Sequence, residues 1–174
     1  MKQIIKNMYI KVYKFSTFSE MDIFVKKQIF VDNLVLEEEF GDTYYCFVFF
    51  HALTQEKLFL LSFSSDEEDN MSVLYWDEED LLVIYPGKKI YLLDTQFKLQ
   101  TSFKTYTPLI GLYLLPDKKK LLVLEEISIR VIDSHGKVLR EENVDFIENF
   151  SIDEDQLLIE TESESYTLNL SQLT

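Results

Sequence analysis

The stretch Asp80-Leu81-Leu82-Val83-Ile84 returns 40 residues later as Lys120-Leu121-Leu122-Val123-Leu124 and, after 36 more, as Gln156-Leu157-Leu158-Ile159-Glu160. The segment that follows repeats as well, since Lys89-Ile90-Tyr91-Leu92-Leu93-Asp94 corresponds to Ser128-Ile129-Arg130-Val131-Ile132-Asp133. A turn and a further short β-run come after each of these two segments. The sequence therefore predicts a repeated unit of four short strands in about 40 residues.

From residue 43 onward the chain consists of β-runs of five to eight residues, separated by short polar connections such as Pro86-Gly87-Lys88. A parallel crossover needs about a dozen residues or more, so these connections require antiparallel hairpins. The predicted strands here are Tyr44–Phe50, Lys57–Ser64, Ser72–Trp76, Leu81–Tyr85, Lys89–Asp94, Leu99–Thr105, Gly111–Leu115, Lys120–Glu125, Ser128–Asp133, Val138–Asn143, Asn149–Asp153, Leu157–Thr161 and Ser165–Leu170.

The repeated unit resembles a blade of a β-propeller, in which one strand carries an apolar pair, the next ends in Asp and the fourth is a polar outer edge. The resemblance covers about residues 72–170, and the glycine-rich and Trp-Asp signatures of the well-known propeller families do not recur from repeat to repeat, since Trp-Asp occurs once, at Trp76-Asp77. It implies an all-β fold of antiparallel four-stranded repeats of about 40 residues, either small and β-propeller-like or an open twisted sheet array. It implies no specific family.

The N-terminal part allows two interpretations. Ile4–Tyr13 alternates as a strand does, whereas Ser19-Glu20-Met21-Asp22 is either a capping box that begins a short helix through Lys27, or part of a connection before a strand at Ile23–Val31. We favour strands within residues 19–31. With a further strand at Leu34–Phe40, the chain would then hold four repeats of four strands.

The last predicted repeat stops after its third strand, Ser165–Leu170, which leaves a sheet edge to be covered. Ile4–Tyr13 is the strand we expect to pair there. The charges agree, because residues 1–30 carry a net charge of +4 and the remainder of the chain carries −18. Opposite charges on neighbouring strands attract, so the lysines of the first strand would lie near the glutamates of the last repeat.

The composition limits the partners of the protein. Its 174 residues, 47% of them hydrophobic, fit a single domain over residues 1–174, and the net charge is −14. Nucleic acids and anionic membranes attract cationic proteins, so we expect no nucleic acid and no membrane partner, and instead a basic protein. No apolar run reaches the roughly 18 residues of a membrane span, and residues 1–7 lack the apolar stretch of a secretory signal, so a cytoplasmic location is expected.

Residues suited to catalysis or metal binding are few. Cys46 is the one cysteine, and His51 and His135 are the two histidines, too few soft ligands for a structural zinc site. Asp133-Ser134-His135 is typical of a hairpin turn and not of a catalytic triad, because consecutive residues do not orient one another as a triad requires. No nucleophile elbow, phosphate-binding glycine loop or dinucleotide motif is present. We predict no catalytic residue, cofactor or metal site.

The best local candidate for a binding site is the pair Tyr75-Trp76, which two acidic runs flank: Asp66-Glu67-Glu68-Asp69 and Asp77-Glu78-Glu79-Asp80. Exposed aromatic residues beside charged loops are typical of protein-binding hot spots, although Trp76 also fits a core position. We predict a non-enzymatic acidic protein-binding module, whose general character resembles that of immunity or inhibitor proteins that engage a basic partner protein. The alternatives are a small propeller-like hydrolase with converging carboxylates, or an interaction domain of a larger assembly.

Overall fold

Sixteen strands, one α-helix and two 3₁₀ helices make up the part of the chain that the computed structural model describes, residues 4–5, 7–28, 32–36, 41–66 and 71–173. The chain divides into two compact units, Met1–Asp69 and Asn70–Thr174. The single domain over residues 1–174 stays a prediction. None of the helices in the described ranges has the length and hydropathy needed to cross a lipid bilayer.

The first unit is a five-stranded sheet with one helix. Its elements are β1 (Ile4–Ile5), β2 (Met8–Phe15), α1 (Phe18–Lys27), β3 (Asn33–Val35), β4 (Thr43–His51) and β5 (Lys57–Ser65). The strand order is β1-β2-β4-β5-β3, and β3 runs parallel to β5 while the other neighbours are antiparallel. This order is not the simple meander of the predicted repeat, so the prediction of four repeats of four strands is wrong for this unit.

The helix α1 replaces the strand expected at Ile23–Val31, of which residues 29–31 lie outside the described residues. Its N-cap is Thr17, whose hydroxyl accepts a hydrogen bond of 3.2 Å from the backbone N–H of Glu20. The Glu20 carboxylate in turn accepts one of 3.1 Å from the N–H of Ser16. This N-terminal cap begins at Thr17, two residues before Ser19, where the sequence alone places the start of a capping box. It favours a helix over a strand.

The strand predicted at Ile4–Tyr13 is divided into β1 and β2, and its expected pairing beside Ser165–Leu170 is wrong. The partner of β2 is β4, with Met8 opposite His51 and Phe15 opposite Tyr44. The physical reason is that β4 is buried along Tyr45–Phe50, so its backbone N–H and C=O groups need a strand on each edge, and β2 and β5 supply them. The Tyr9 ring stacks on the Phe50 ring with 5.0 Å between centroids.

One face of β4 packs against α1. Cys46, Val48 and Phe50 of the strand join Met21 of the helix in one apolar cluster. Cys46 is fully buried, as predicted for a small core residue, and this burial raises the pKa of its thiol to about 12. The thiol is therefore protonated and inert at neutral pH.

The second unit consists of three antiparallel sheets made from consecutive strands. These are β6 (Ser72–Trp76), β7 (Leu81–Tyr85), β8 (Lys89–Asp94), β9 (Leu99–Lys104), β10 (Leu109–Leu114), β11 (Leu121–Glu125), β12 (Ser128–Ile132), β13 (Val138–Asn143), β14 (Ile147–Asp153), β15 (Gln156–Thr161) and β16 (Ser165–Asn169). The sheet orders are β6-β7-β8-β9, β10-β11-β12-β13 and β14-β15-β16. The 3₁₀ helices are Asp77–Glu79 and Leu170–Leu173.

The predicted repeat is confirmed in this unit. The strands β7, β11 and β15 contain the three related stretches, and each pairs with the strand before it and the strand after it in its sheet. The two complete repeats are four-stranded and antiparallel throughout. The second strand of each repeat is a short run rich in leucine and β-branched residues, and this sequence pattern predicts the architecture correctly.

The aspartate that ends each third strand organises the turn after it. Asp94 accepts hydrogen bonds of 2.8 and 3.0 Å from the N–H groups of Gln96 and Lys98. Asp133 does the same at 2.9 Å each for His135 and Lys137. His135 is exposed in this turn, so its predicted place in a hairpin turn is confirmed. The repeated Asp is a turn residue because its side chain caps its own backbone.

A buried ion pair fixes the connection between the first two sheets. The Arg130 guanidinium pairs with the Glu125 carboxylate, and both residues are at most 2% exposed. Arg130 also donates two hydrogen bonds of 3.2 Å to the carbonyl of Lys104, where β9 ends. Glu125 accepts hydrogen bonds of 2.6 and 3.0 Å from the N–H groups of Tyr106 and Thr107, which lead into β10. The pair thus holds both ends of the linker.

Replacing Arg130 by Met leaves the Glu125 carboxylate buried without its cation. Removal of one partner from a buried ion pair destabilises a protein by about 3 to 5 kcal/mol. We expect the Arg130→Met variant to lose that much free energy of unfolding, measured by urea denaturation with circular dichroism detection.

The matched control is Arg140→Met, because Arg140 pairs with Glu142 at the surface of the neighbouring strand β13. Exposed pairs contribute about 0 to 1 kcal/mol, so this variant should remain close to the parent protein. Equal losses in both variants would contradict a special role for the buried pair.

Candidate protein-binding surface

The acidic turn between β6 and β7 is the part of the predicted site that the structure places at the surface. Asp77–Glu79 form one turn of 3₁₀ helix, and Asp80 follows in the left-handed region with φ 52°. All four acidic residues of this turn are exposed. The Tyr75 hydroxyl donates a hydrogen bond to the Asp80 carboxylate, which holds that side chain in place.

One residue of the acidic turn is paired with a cation. The Asp77 carboxylate lies 3.1 Å from Nζ of Lys118, in the turn between β10 and β11. The hydrogen bond from Lys118 lowers the pKa of Asp77, and the same contact raises the pKa of Lys118. The pair ties the acidic turn of the first sheet to the turn of the second sheet.

The two predicted aromatic residues lie in different environments. Trp76 is fully buried in the core shared by the first two sheets, and its indole N–H donates a hydrogen bond of 2.6 Å to the carbonyl of Lys118. Trp76 therefore occupies a core position, which is the alternative interpretation of this residue from the sequence. Tyr75 is half-buried beside the acidic turn. We therefore leave Trp76 out of the binding surface and keep Tyr75 in it.

The other predicted acidic run lies mostly beyond what the structure describes. Asp66 is exposed, and its carboxylate accepts a hydrogen bond of 2.6 Å from the N–H of Asp42. Glu67, Glu68 and Asp69 lie outside the described residues. Their part in partner binding stays a prediction.

The acidic turn lines a cleft of about 510 Å³. We call it the acidic cleft, and its lining residues are Glu79, Asp80, Leu81, Asp94, Thr95, Gln100, Thr101, Ser134 and His135. Three turns contribute to it: those between β6 and β7, between β8 and β9, and between β12 and β13. Sequence reasoning missed Asp94 and His135 as neighbours of Glu79. Alternate turns of a meander lie at the same end of its sheet, so the position of the Asp94 turn was available from the strand pattern.

The carboxylates of the cleft have different tasks. Asp94 accepts two backbone hydrogen bonds and a third of 2.8 Å from the Gln100 amide, so its oxygens serve the turn. Glu79 and Asp80 are exposed at the cleft, where carboxylate oxygens can accept from an ammonium or guanidinium group. Among the described residues, no group of three or more His, Cys, Asp or Glu side chains is arranged to hold a metal ion.

Three solved structures are similar to this chain. BamB from Moraxella catarrhalis matches with 12% identity and a TM-score of 0.50 over 71% of this chain and 39% of that chain. The Pan2 WD40 domain of Neurospora crassa matches with 14% identity and a TM-score of 0.51 over 76% and 44%. A eukaryotic initiation factor matches with 13% identity and a TM-score of 0.51 over 71% and 38%.

These neighbours are WD40 and β-propeller-type domains, so the resemblance of the repeats to propeller blades is confirmed at the level of the fold. This chain spans 38 to 44% of the length of the three structures. No protein-family model and no curated protein sequence matches it. The chain therefore has a propeller-type all-β fold.

The contact between Asp77 and Lys118 can be tested by titration. In the Lys118→Ala variant the carboxyl of Asp77 loses its hydrogen-bonding cation, so its pKa should rise toward the ordinary value of an aspartate. The measurement is an NMR pH titration of the Asp77 side-chain carboxyl carbon.

Lys119→Ala is the control for this titration, since it removes a neighbouring positive charge that Asp77 does not contact. An unchanged Asp77 pKa in Lys118→Ala, or the same rise in both variants, would show that the contact does not exist in solution.

Proposed function

We propose that the protein is a non-enzymatic interaction module that binds a basic partner protein at the acidic cleft. The observation that carries the proposal is the exposure of Glu79 and Asp80 in one cleft, with Tyr75 fixing the Asp80 carboxylate. The likeness to WD40 and propeller-type domains supports a protein-interaction role in general.

The charge of the whole chain supports the same proposal. A net charge of −14 creates a long-range field that attracts and orients a cationic protein before contact. A lysine or arginine of the partner would then enter the acidic cleft and donate charge-assisted hydrogen bonds to the carboxylates of Glu79 and Asp80. An immunity or inhibitor protein that neutralises a basic protein would work in this way.

Binding is a better use of this cleft than hydrolysis. A general acid or base needs a carboxyl group free to exchange its proton with a substrate. Asp94 instead holds its turn through three hydrogen bonds, and Asp80 is held by Tyr75. We therefore propose binding at the acidic cleft in preference to the alternative of a small hydrolase with converging carboxylates, and we propose no reaction.

The experiment begins with capture of a partner from the native host, after which association rates are measured by surface plasmon resonance. The double variant Glu79→Gln/Asp80→Asn should associate about ten-fold more slowly, and higher salt should slow the parent protein similarly. The circular dichroism spectrum should not change, because Asn also tolerates the left-handed backbone at position 80.

The matched control is Glu162→Gln/Glu164→Gln, which removes two charges from the exposed turn between β15 and β16. Equal slowing in the control would assign the effect to net charge and overturn the assignment to the acidic cleft. An association rate that depends on neither variant nor on salt would overturn the proposed function.

A further inference from the structure

A second cavity, of about 500 Å³, lies where the first strands of the three sheets in the second unit end. We call it the apolar groove and define it by Leu74 of β6, Leu112, Tyr113 and Leu114 of β10, Ile152 of β14, and Leu170 after β16. Leu112 and Leu170 are buried, whereas the other four are partly accessible. Binding pockets commonly have this size and a lining that is mostly apolar.

The turn between β10 and β11 forms a wall of the groove through Leu115 and Pro116. This turn is anchored twice to the first sheet, since the carbonyl of Lys118 accepts the indole hydrogen bond of Trp76 and its ammonium group pairs with Asp77. The wall is therefore held in place before any ligand binds, which reduces the entropic cost of binding.

The ring of Tyr113 is fixed as a second wall. A methyl group added to Gly111 would lie 2.9 Å from the Tyr113 hydroxyl oxygen, so the ring lies directly over the glycine and only glycine leaves it room. On the other side the ring makes an edge contact with Phe150, with 5.7 Å between centroids. Partial burial also raises the pKa of the Tyr113 hydroxyl.

The polar rim of the groove carries one sign of charge. Glu154 and Asp155, in the turn between β14 and β15, line the cavity and are exposed, and no Lys or Arg is among its described lining residues. The backbone carbonyl of Asp155 accepts a hydrogen bond of 2.7 Å from Leu170, which ties this rim to the groove floor. Apolar walls beside carboxylates fit an apolar side chain with a cationic neighbour.

We infer that the apolar groove binds one bulky apolar or aromatic side chain of a partner protein segment in which a lysine or arginine stands next to it. The inference rests on the proposed function and names the segment that the partner presents. A second copy of this chain is disfavoured as the occupant, because two surfaces of a protein with net charge −14 repel each other.

The groove and the acidic cleft are connected through one structural link. The acidic turn is joined by Asp77 to Lys118, and Lys118 belongs to the turn that forms the groove wall. The acidic turn and the groove wall are therefore held together by this pair.

The test uses the peptide acetyl-Gly-Lys-Trp-Lys-Gly-amide, titrated into the ¹⁵N-labelled full chain and followed by NMR. We expect chemical-shift changes at the backbone amides of Leu114, Ile152 and Glu154. A peptide with Ala in place of Trp, or with Glu in place of both Lys, should bind at least about ten-fold more weakly, since each lacks one part of the recognised segment.

Protein variants identify the site. Glu154→Gln/Asp155→Asn changes exposed side chains only and should weaken the Lys-containing peptide while the fold stays intact. Leu114→Ala removes part of the groove wall and should weaken the peptide as well. Leu158→Ala, which truncates an exposed leucine of β15 outside the groove, is the matched control and should leave the affinity unchanged.

Each result decides between the two sites. Shifts confined to Glu79, Asp80 and their neighbours would overturn the groove inference and leave the proposed function standing. If the groove amides shift with the peptide but the association rate of the natural partner does not depend on Glu79 and Asp80, the proposed function is overturned instead. If the peptide causes no chemical-shift changes, the inference is overturned. If the groove amides shift with protein concentration in the absence of peptide, the inference is overturned in favour of a second copy of this chain as the occupant.

Discussion

The ion pair between Glu125 and Arg130 is the contact on which the arrangement of the second unit depends. Its five hydrogen-bonding contacts reach the end of β9, the linker at Tyr106 and Thr107, and the strands β11 and β12. The ring of Tyr106 adds a cation–π contact, 4.6 Å from the guanidinium carbon of Arg130. The linker between the two four-stranded sheets is therefore bonded to the ion pair at both of its ends.

The candidate binding sites depend on that connection. With the first two sheets fixed side by side, β6 and β10 are neighbours, and Trp76 can reach across to the carbonyl of Lys118. The turns at that end of the sheets contribute carboxylates to the acidic cleft and part of the lining of the apolar groove. Both candidate sites are thus built largely from turns, and the strands serve to position them.

The sequence predicts the repeats well because their signals are local. Leu81–Tyr85, Leu121–Glu125 and Leu157–Thr161 are short apolar runs between turn residues, and such runs have few alternatives to a central strand. A strand is favoured over the helix α1 in the sequence because the N-cap residue Thr17 stands before the segment considered, residues 19–31, although Glu20 lies within it. Tyr75 is half-buried whereas Trp76 is fully buried. This difference depends on contacts between sheets, which no local sequence pattern contains.

The buried thiol of Cys46 has a consequence for experiment. Cys46 is the one cysteine of the chain, and it lies at the centre of β4, covered on one face by the cluster that includes Met21. A reagent that alkylates thiols can reach it only when the first unit opens. The rate of labelling therefore reports the opening of that unit separately from the second, without any engineered probe.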